Sequence, residues 1–287
     1  MKTRITELLR CDWPIIQAPL AGGGDTPELV SAVSNAGGFG FVGAGYLDAA
    51  QIAATTERVR ALTSRPFGIN LFAPTPPPAP VVLERAIERL APYYAELGLP
   101  LPARELAAPP PFDMQLAAAL DSGASAFSFT FGLLPDDAVR AIHARGMVVL
   151  GTATTVAEAL ALQASGVDAI VAQGGEAGVA DAYKALVLAA SEDGTRVTRA
   201  FSGRPARGLV NRFMEEIDPA GDEIPGFPIQ NALTRSLRTA ASKQGRAEFL
   251  SLWAGQGVRM ARRQSAAELV ARLVDETRAA IRDLPTP

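Results

Sequence analysis

Short apolar runs alternate with amphipathic stretches through the first two thirds of the chain, and this rhythm constrains the fold more than any other feature. The runs are Pro14-Ile-Ile-Gln-Ala-Pro19, Phe39-Gly-Phe-Val-Gly43, Phe67-Gly-Ile-Asn-Leu-Phe72, Ala126-Phe-Ser-Phe-Thr-Phe131, Met147-Val-Val-Leu-Gly151 and Asp168-Ala-Ile-Val-Ala172. None keeps up a polar alternation, which is the pattern of parallel strands covered on both faces. The stretches between them read as helices. Thr26 is placed to cap one, with Pro27 at its first position and Glu28 near the positive end of its dipole. Leu29, Val30 and Val33 fall on one face of that helix, and Gly37 follows it. Residues 48–62, 136–144 and 156–165 repeat the theme. Strands joined through helices imply a parallel sheet. Doubly wound and barrel arrangements both satisfy this, and the count is six strands by Gln173.

Two proline-rich segments interrupt the rhythm. Pro74-Thr-Pro-Pro-Pro-Ala-Pro80 reads as a stiff loop and residues 100–111 as a second link. The amphipathic helix expected between them, over 81–97, reads as an excursion over the rim of the sheet. After Gly178 the pattern changes to helices over 183–191, 229–243 and 265–282, with an irregular stretch from 204 to 228. Only Arg196-Val-Thr-Arg-Ala-Phe201 reads as a further short strand. The expected organisation is a barrel-like domain over 1–182 and a helical region over 183–287 that packs on it.

Composition narrows the function. Hydrophobic residues make up 48% of the 287 residues, enough for a sizeable core, and Lys+Arg 27 against Asp+Glu 30 argues against a nucleic-acid binder. One Cys and one His leave no Cys/His zinc site and no disulfide within one chain, as expected of a cytoplasmic protein. No stretch approaches the roughly 18 uninterrupted apolar residues of a membrane span, and the charged start, Met1 to Arg10, has no signal-peptide apolar core.

Histidine-dependent nucleophilic devices would need His143, which lies mid-helix and points away from the strand C-terminal ends where sites cluster in parallel α/β folds. It reads as a surface or packing residue, and Cys11 as a buried or edge thiol. The informative residues follow the strands: Ala18-Pro-Leu-Ala-Gly-Gly-Gly24, Gly43-Ala-Gly45, Asn70, Gly151-Thr-Ala-Thr-Thr155 and Gln173-Gly-Gly-Glu-Ala-Gly178. Small residues there let a planar ligand approach the backbone, and bare N–H groups can donate to it. Asn70 and Gln173 add two-sided amides suited to a polar heterocycle or a polyol chain. Neither GxxxxGK[ST] nor GxGxxG is present. The arginines 196, 199, 204, 207 and 212 read as an anion-binding cluster or, the preferred reading, as solvated and loop-stabilising.

Taken together and in order, these motifs resemble the nitronate monooxygenase (2-nitropropane dioxygenase) family. The match runs from Pro14-Ile-Ile-Gln-Ala-Pro-Leu-Ala-Gly-Gly23 through Ser34-Asn-Ala-Gly-Gly38 and Pro66-Phe-Gly-Ile-Asn-Leu-Phe72. It continues to Ala200-Phe-Ser-Gly-Arg-Pro-Ala-Arg-Gly208 and Trp253-Ala-Gly-Gln-Gly257. The resemblance implies a TIM-barrel-like β/α fold that binds FMN and oxidises alkyl nitronates with O2 to carbonyl compounds and nitrite. By the same resemblance, Ala18, Pro19 and Leu20 lie beside the flavin ring, and Asn70, Gln173 and Gly178 contact FMN.

The chain departs from the family after Gly178. The family's Gly-His-Arg-Gly, which carries its catalytic base, is replaced by Gly178-Val-Ala-Asp-Ala-Tyr183, and about two βα units are missing. No catalytic residue is assigned, and no metal is expected. The loops after strands seven and eight, where such barrels commonly hold phosphate, are expected to be absent. Strands one and six become edges to be closed by bending the six strands, covered by the helical tail or paired with another copy of the chain. Two other readings stay open: a non-catalytic remnant that binds FMN weakly or not at all, and another flavin oxidoreductase of the NAD(P)H:quinone or enoyl reductase type.

Overall fold

The six apolar runs become six strands of one parallel sheet in a computed structural model, which describes residues 2–22, 24–74, 83–103, 109–173, 194–255 and 262–282. The strands are β1 (Ile16–Gln17), β2 (Phe39–Gly43), β3 (Phe67–Phe72), β4 (Ala126–Thr130), β5 (Val148–Ala153) and β6 (Ala169–Ala172). They pair in sequence order, each parallel to the one before it. A doubly wound sheet reverses its strand order at a switch point, and this one does not. The sheet is a curled half-barrel, an incomplete TIM-barrel-like α/β fold. Among the described residues β1 pairs only with β2 and β6 only with β5, so both edges are open.

Two strand boundaries differ from expectation. β1 is two residues long because Pro14 and Pro19 cannot donate to a ladder. β5 runs past Gly151, since Thr152 and Ala153 pair with Val171 and Ala172.

Around the sheet lie α1 (Arg4–Leu9), α2 (Pro27–Asn35) and α3 (Ala49–Leu62), while α4 (Leu83–Glu96) packs elsewhere. They are followed by α5 (Phe112–Leu120), α6 (Asp136–Ala144) and α7 (Val156–Ala164). The caps follow the residues. Thr26 Oγ1 accepts from the Leu29 N–H at 3.3 Å, and Asp48 with Gln51 and Thr155 with Glu158 close reciprocal capping boxes. Gly40 explains how closely α2 lies on β2: a Cβ there would sit 2.4 Å from the Val30 carbonyl oxygen. Two of these helices carry no sequence signal strong enough to read. α1 has six residues, and α5 is apolar nearly all round.

The two faces of the sheet bury different sets. Ile69, Leu71, Phe127, Phe129 and Val149 pack under the helices against Val30, Ile52, Val59, Ile142 and Leu162. Each such side chain contributes about 1.5–3 kcal/mol relative to exposure. The opposite face carries Phe39, Phe41, Ala126 and Leu150, with Leu9 of α1 among them.

The described chain divides into two compact units, and the division does not follow a single cut after residue 182. The first holds the sheet, α1–α3, α5–α7 and the final helix, α10 (Ala266–Arg282), which packs beside α2 and sets the Arg278 guanidinium 4.9 Å over the Trp13 ring. The second holds α4, the antiparallel pair β7 (Thr195–Thr198) and β8 (Ala206–Leu209), α8 (Arg212–Ile217) and α9 (Ile229–Gln244). Thus α4 belongs to this second unit and not to the unit that holds the sheet. Its apolar face, Ile87, Leu90 and Tyr94, is buried with Leu233, Leu237 and Phe213, and the Tyr94 hydroxyl donates to the Leu233 carbonyl at 2.6 Å. The stretch 204–228, expected to be irregular, contains β8 and α8 because Phe213, Met214 and Ile217 supply a buried stripe. Phe201 stacks on Phe213 at 4.8 Å, and Phe249 meets Phe213 edge-on. The expected helix over 183–191 lies outside the described residues. Among the described residues no helix is long and apolar enough to cross a membrane.

Candidate active site at the strand tips

The half-barrel brings the C-terminal ends of its strands to one end. Strand alternation decides what faces the concave side there. In β4, Phe127 and Phe129 go under the helices, so Ala126, Ser128 and Thr130 share the other face. Register then aligns Gly43, Asn70, Ser128 and Leu150 across β2 to β5. The Asn70 side chain is 3% exposed, and its Nδ2 donates to Ser128 Oγ at 2.9 Å. Two residues nearer the tips, Phe72 aligns with Thr130, whose Oγ1 is buried without a hydrogen-bond partner among the described residues. An unsatisfied buried hydroxyl is costly, and here it sits beside a polar row at the mouth of a curled sheet.

The turn after β1 forms the neighbouring wall. Ala18 is exposed, and Pro19 and Leu20 are half-buried. The Leu20 N–H donates to Asp25 Oδ2 at 2.9 Å, and the same oxygen accepts from the N–H of Gly43 at the tip of β2. Burial pushes the Asp25 carboxyl above its ordinary range, partly offset by those two donors. Gln173, just after β6, has an exposed side chain, and its N–H donates to the Ala153 carbonyl at 2.9 Å. Leu20 and Asn70 are therefore joined through Asp25 and Gly43, and Gln173 stands at the same end of the sheet three strands from Asn70. Gly178 lies outside the described residues.

Around the tips of β2, β3 and β4, Tyr46 meets Phe72 edge-on at 5.1 Å and Phe72 meets Phe131 at 4.9 Å. Phe131 has φ 75°, left-handed backbone that a non-glycine residue adopts at a cost. Such outliers cluster at functional sites.

Ser128, Thr130 and Asp25 were not singled out by sequence reasoning. A signal for the first two exists: within Ala126-Phe-Ser-Phe-Thr-Phe131 small and aromatic residues alternate with period two. Asp25 has none, because an acid just before a helix is indistinguishable from an ordinary cap. His143 stays out of the site. Its Nε2 lies 3.0 Å from Asp168 Oδ2, which accepts from the N–H of Val149 near the start of β5. Cys11 is half-buried, its thiol donates to the Trp13 carbonyl, and burial raises its pKa. The arginines act locally: Arg196 pairs with Asp218, Arg199 with Asp222, and Arg212 with Glu96 and Glu216. Among the described residues no cluster of His, Cys, Asp and Glu could hold a metal ion.

Comparison with known proteins identifies the family. The family model for nitronate monooxygenase matches residues 2–181 and 176–276. A probable nitronate monooxygenase of Staphylococcus saprophyticus is 30% identical, with 96% of this chain and 98% of that protein covered. One from Staphylococcus aureus strain Newman is 31% identical, with 96% and 97% covered. The structure of nitroalkane oxidase from Streptomyces ansochromogenes superposes with a TM-score of 0.81 at 33% identity, covering 96% of this chain and 99% of that one. FabK from Thermotoga maritima shares the fold, with a TM-score of 0.74 at 20% identity and 98% of both chains covered.

The two matched stretches meet at residues 176–181, where the second begins before the first ends. The Staphylococcus saprophyticus alignment spans 347 positions against 287 residues here, so at least 60 positions face a gap in this chain. That is the length of about two βα units. With the family model matching most of the chain and relatives matching nearly its whole length, the chain belongs to the nitronate monooxygenase family.

Proposed function

We propose that the strand tips bind FMN and that the protein oxidises alkyl nitronates with O2 to carbonyl compounds and nitrite. Membership of the family supports an FMN-type oxidoreductase acting on a small molecule. The observation that carries the proposal is the polar row at the mouth of the half-barrel. There Asn70 and Ser128 are bonded to each other, and among the described residues the Thr130 hydroxyl is left without a partner. Ala18, Pro19, Leu20, Asn70, Gln173 and Gly178 would hold the flavin, with the backbone of Ala18–Leu20 beside its ring. FMN supplies the electron acceptor that this set of side chains lacks. The chain's own part is to orient ring and substrate and to keep water from the concave face. A nitronate is already an anion, so binding it needs no base. The visible spectrum of the purified protein tests the proposal: a stoichiometric flavin band, bleached anaerobically by nitronate, is expected. A colourless protein that fails to take up added FMN would overturn it.

A second reading, a remnant with weak or no FMN binding, is favoured by one feature. Among the described residues the sheet stops at β6, so the loops that commonly hold phosphate after strands seven and eight have no place in it. The same spectrum separates the two. Bleaching by NADH instead of nitronate would point to a quinone or enoyl reductase activity. The open edges further suggest self-association. β6 exposes Ile170 and Val171 at 38% and 40%, and a purely monomeric mass by light scattering would exclude it.

A further inference from the structure

We propose that Asp25 is a positioning residue, holding the turn Ala18–Leu20 against the tip of β2 so that one wall of the ligand bay is preformed. Resting on the flavin reading above, the proposal adds a residue that this reading does not use. Asp25 is 8% exposed, and its Oδ2 accepts from two backbone donors, Leu20 and Gly43. Those donors belong to different segments. Leu20 lies in the turn after β1, and Gly43 ends β2 in register with Asn70. Among the described residues no cation pairs with the carboxylate, so the two amides are its polar partners.

The fit at Gly43 shows how tightly the turn is seated. A Cβ there would lie 2.6 Å from both the Ala21 nitrogen and Asp25 Oδ2, and 2.8 Å from the Leu20 nitrogen. No side chain larger than hydrogen leaves room for this arrangement. Burying a carboxylate without a countercharge is unfavourable, and among the described residues only Asp25 is a buried acid. The two-residue β1 gives the turn little ladder support of its own. A turn held only by β1 would be free to move relative to Asn70, and ordering it on binding would cost affinity. Asp25 removes that freedom beforehand by bonding both sides of the joint.

Two measurements on the full chain test this, one of which needs no flavin. Hydrogen exchange in the flavin-free protein should show the Leu20 and Gly43 amides at least about tenfold less protected in Asp25→Ala, as expected for loss of a charge-assisted bond. Most of that protection should return in Asp25→Asn, which keeps a neutral acceptor. Flavin titration by fluorescence should show Asp25→Ala binding FMN about tenfold more weakly, again with recovery in Asp25→Asn. If Asp25→Ala does not fold, Asp25→Asn and Asp25→Ser give the comparison. Unchanged exchange at Leu20 and Gly43 overturns the proposal, and so does altered exchange with unaltered FMN affinity. An unsubstituted chain that binds no FMN sinks the flavin reading instead, and the exchange data alone then decide whether Asp25 sets the turn.

Discussion

Asn70 on β3 and Ser128 on β4 occupy paired register positions and are joined by a 2.9 Å hydrogen bond from Asn70 Nδ2 to Ser128 Oγ. This bond fixes which way the buried amide is turned at the mouth of the half-barrel. Replacing Asn70 by Ala should therefore weaken FMN binding by about tenfold, the worth of one good hydrogen bond. Because Asn70 is almost wholly buried, the variant should also lose about 1–3 kcal/mol of stability. Fluorescence titration and urea unfolding measure the two effects, and unchanged flavin affinity would remove Asn70 from the site.

Gly40→Ala tests the packing of α2 on β2. The new methyl would meet the Val30 carbonyl oxygen at 2.4 Å, a backbone atom that no rotamer change can clear. A loss of about 1–3 kcal/mol is expected from overpacking. Wild-type stability by urea denaturation would mean that the helix can shift at no cost.

Substrate preference follows from the position of the one histidine. A general base contributes about 10²–10⁴-fold to proton abstraction. The chain's single histidine is bonded to Asp168 beside the start of β5, away from the tips. Turnover should accordingly favour alkyl nitronates over the corresponding neutral nitroalkanes. Equal rates with both, in protein freed of contaminating enzymes, would show that another group removes the proton.

Two sets of carboxylates should shape the pH dependence of stability in opposite senses. Hydrogen bonds from Arg246 and Arg212 hold the Glu96 carboxyl below its ordinary range, and Arg212 does the same for Glu216. Their stabilisation is present above the normal carboxylate pKa and is lost as pH falls through the depressed folded values. Asp25 is raised by burial, so its contribution is complete below the unfolded pKa and declines as pH rises through the folded value. Thermal melts across the acid range should show Glu96→Gln flattening the acid limb and Asp25→Asn reducing the decline on its upper side. Superimposable profiles for wild type and variants would contradict both assignments.

Much of this protein could be read before any coordinates. The strands β2 and β3 fall where the apolar runs put them, and the helices α2, α3 and α7 begin where their caps put them, because Thr26, Asp48 and Thr155 act on amides within one turn of themselves. The family resemblance, the strand count of six and the missing units after Gly178 were likewise carried by linear motifs. Other features depend on residues far apart in the chain. Asn70 and Ser128 are 58 positions apart, and Tyr94 and Leu233 are 139. Which unit claims α4 is settled by the face that buries Tyr94, and an amphipathic pattern shows only that such a face exists. The roles of Thr130 and Asp25 are likewise tertiary. A buried hydroxyl without a partner and a carboxylate shared by two amides are properties of the space around a side chain. Capping and periodicity are local and so are written in the sequence, whereas that space is created only when β1, β2, β3 and β4 curl together.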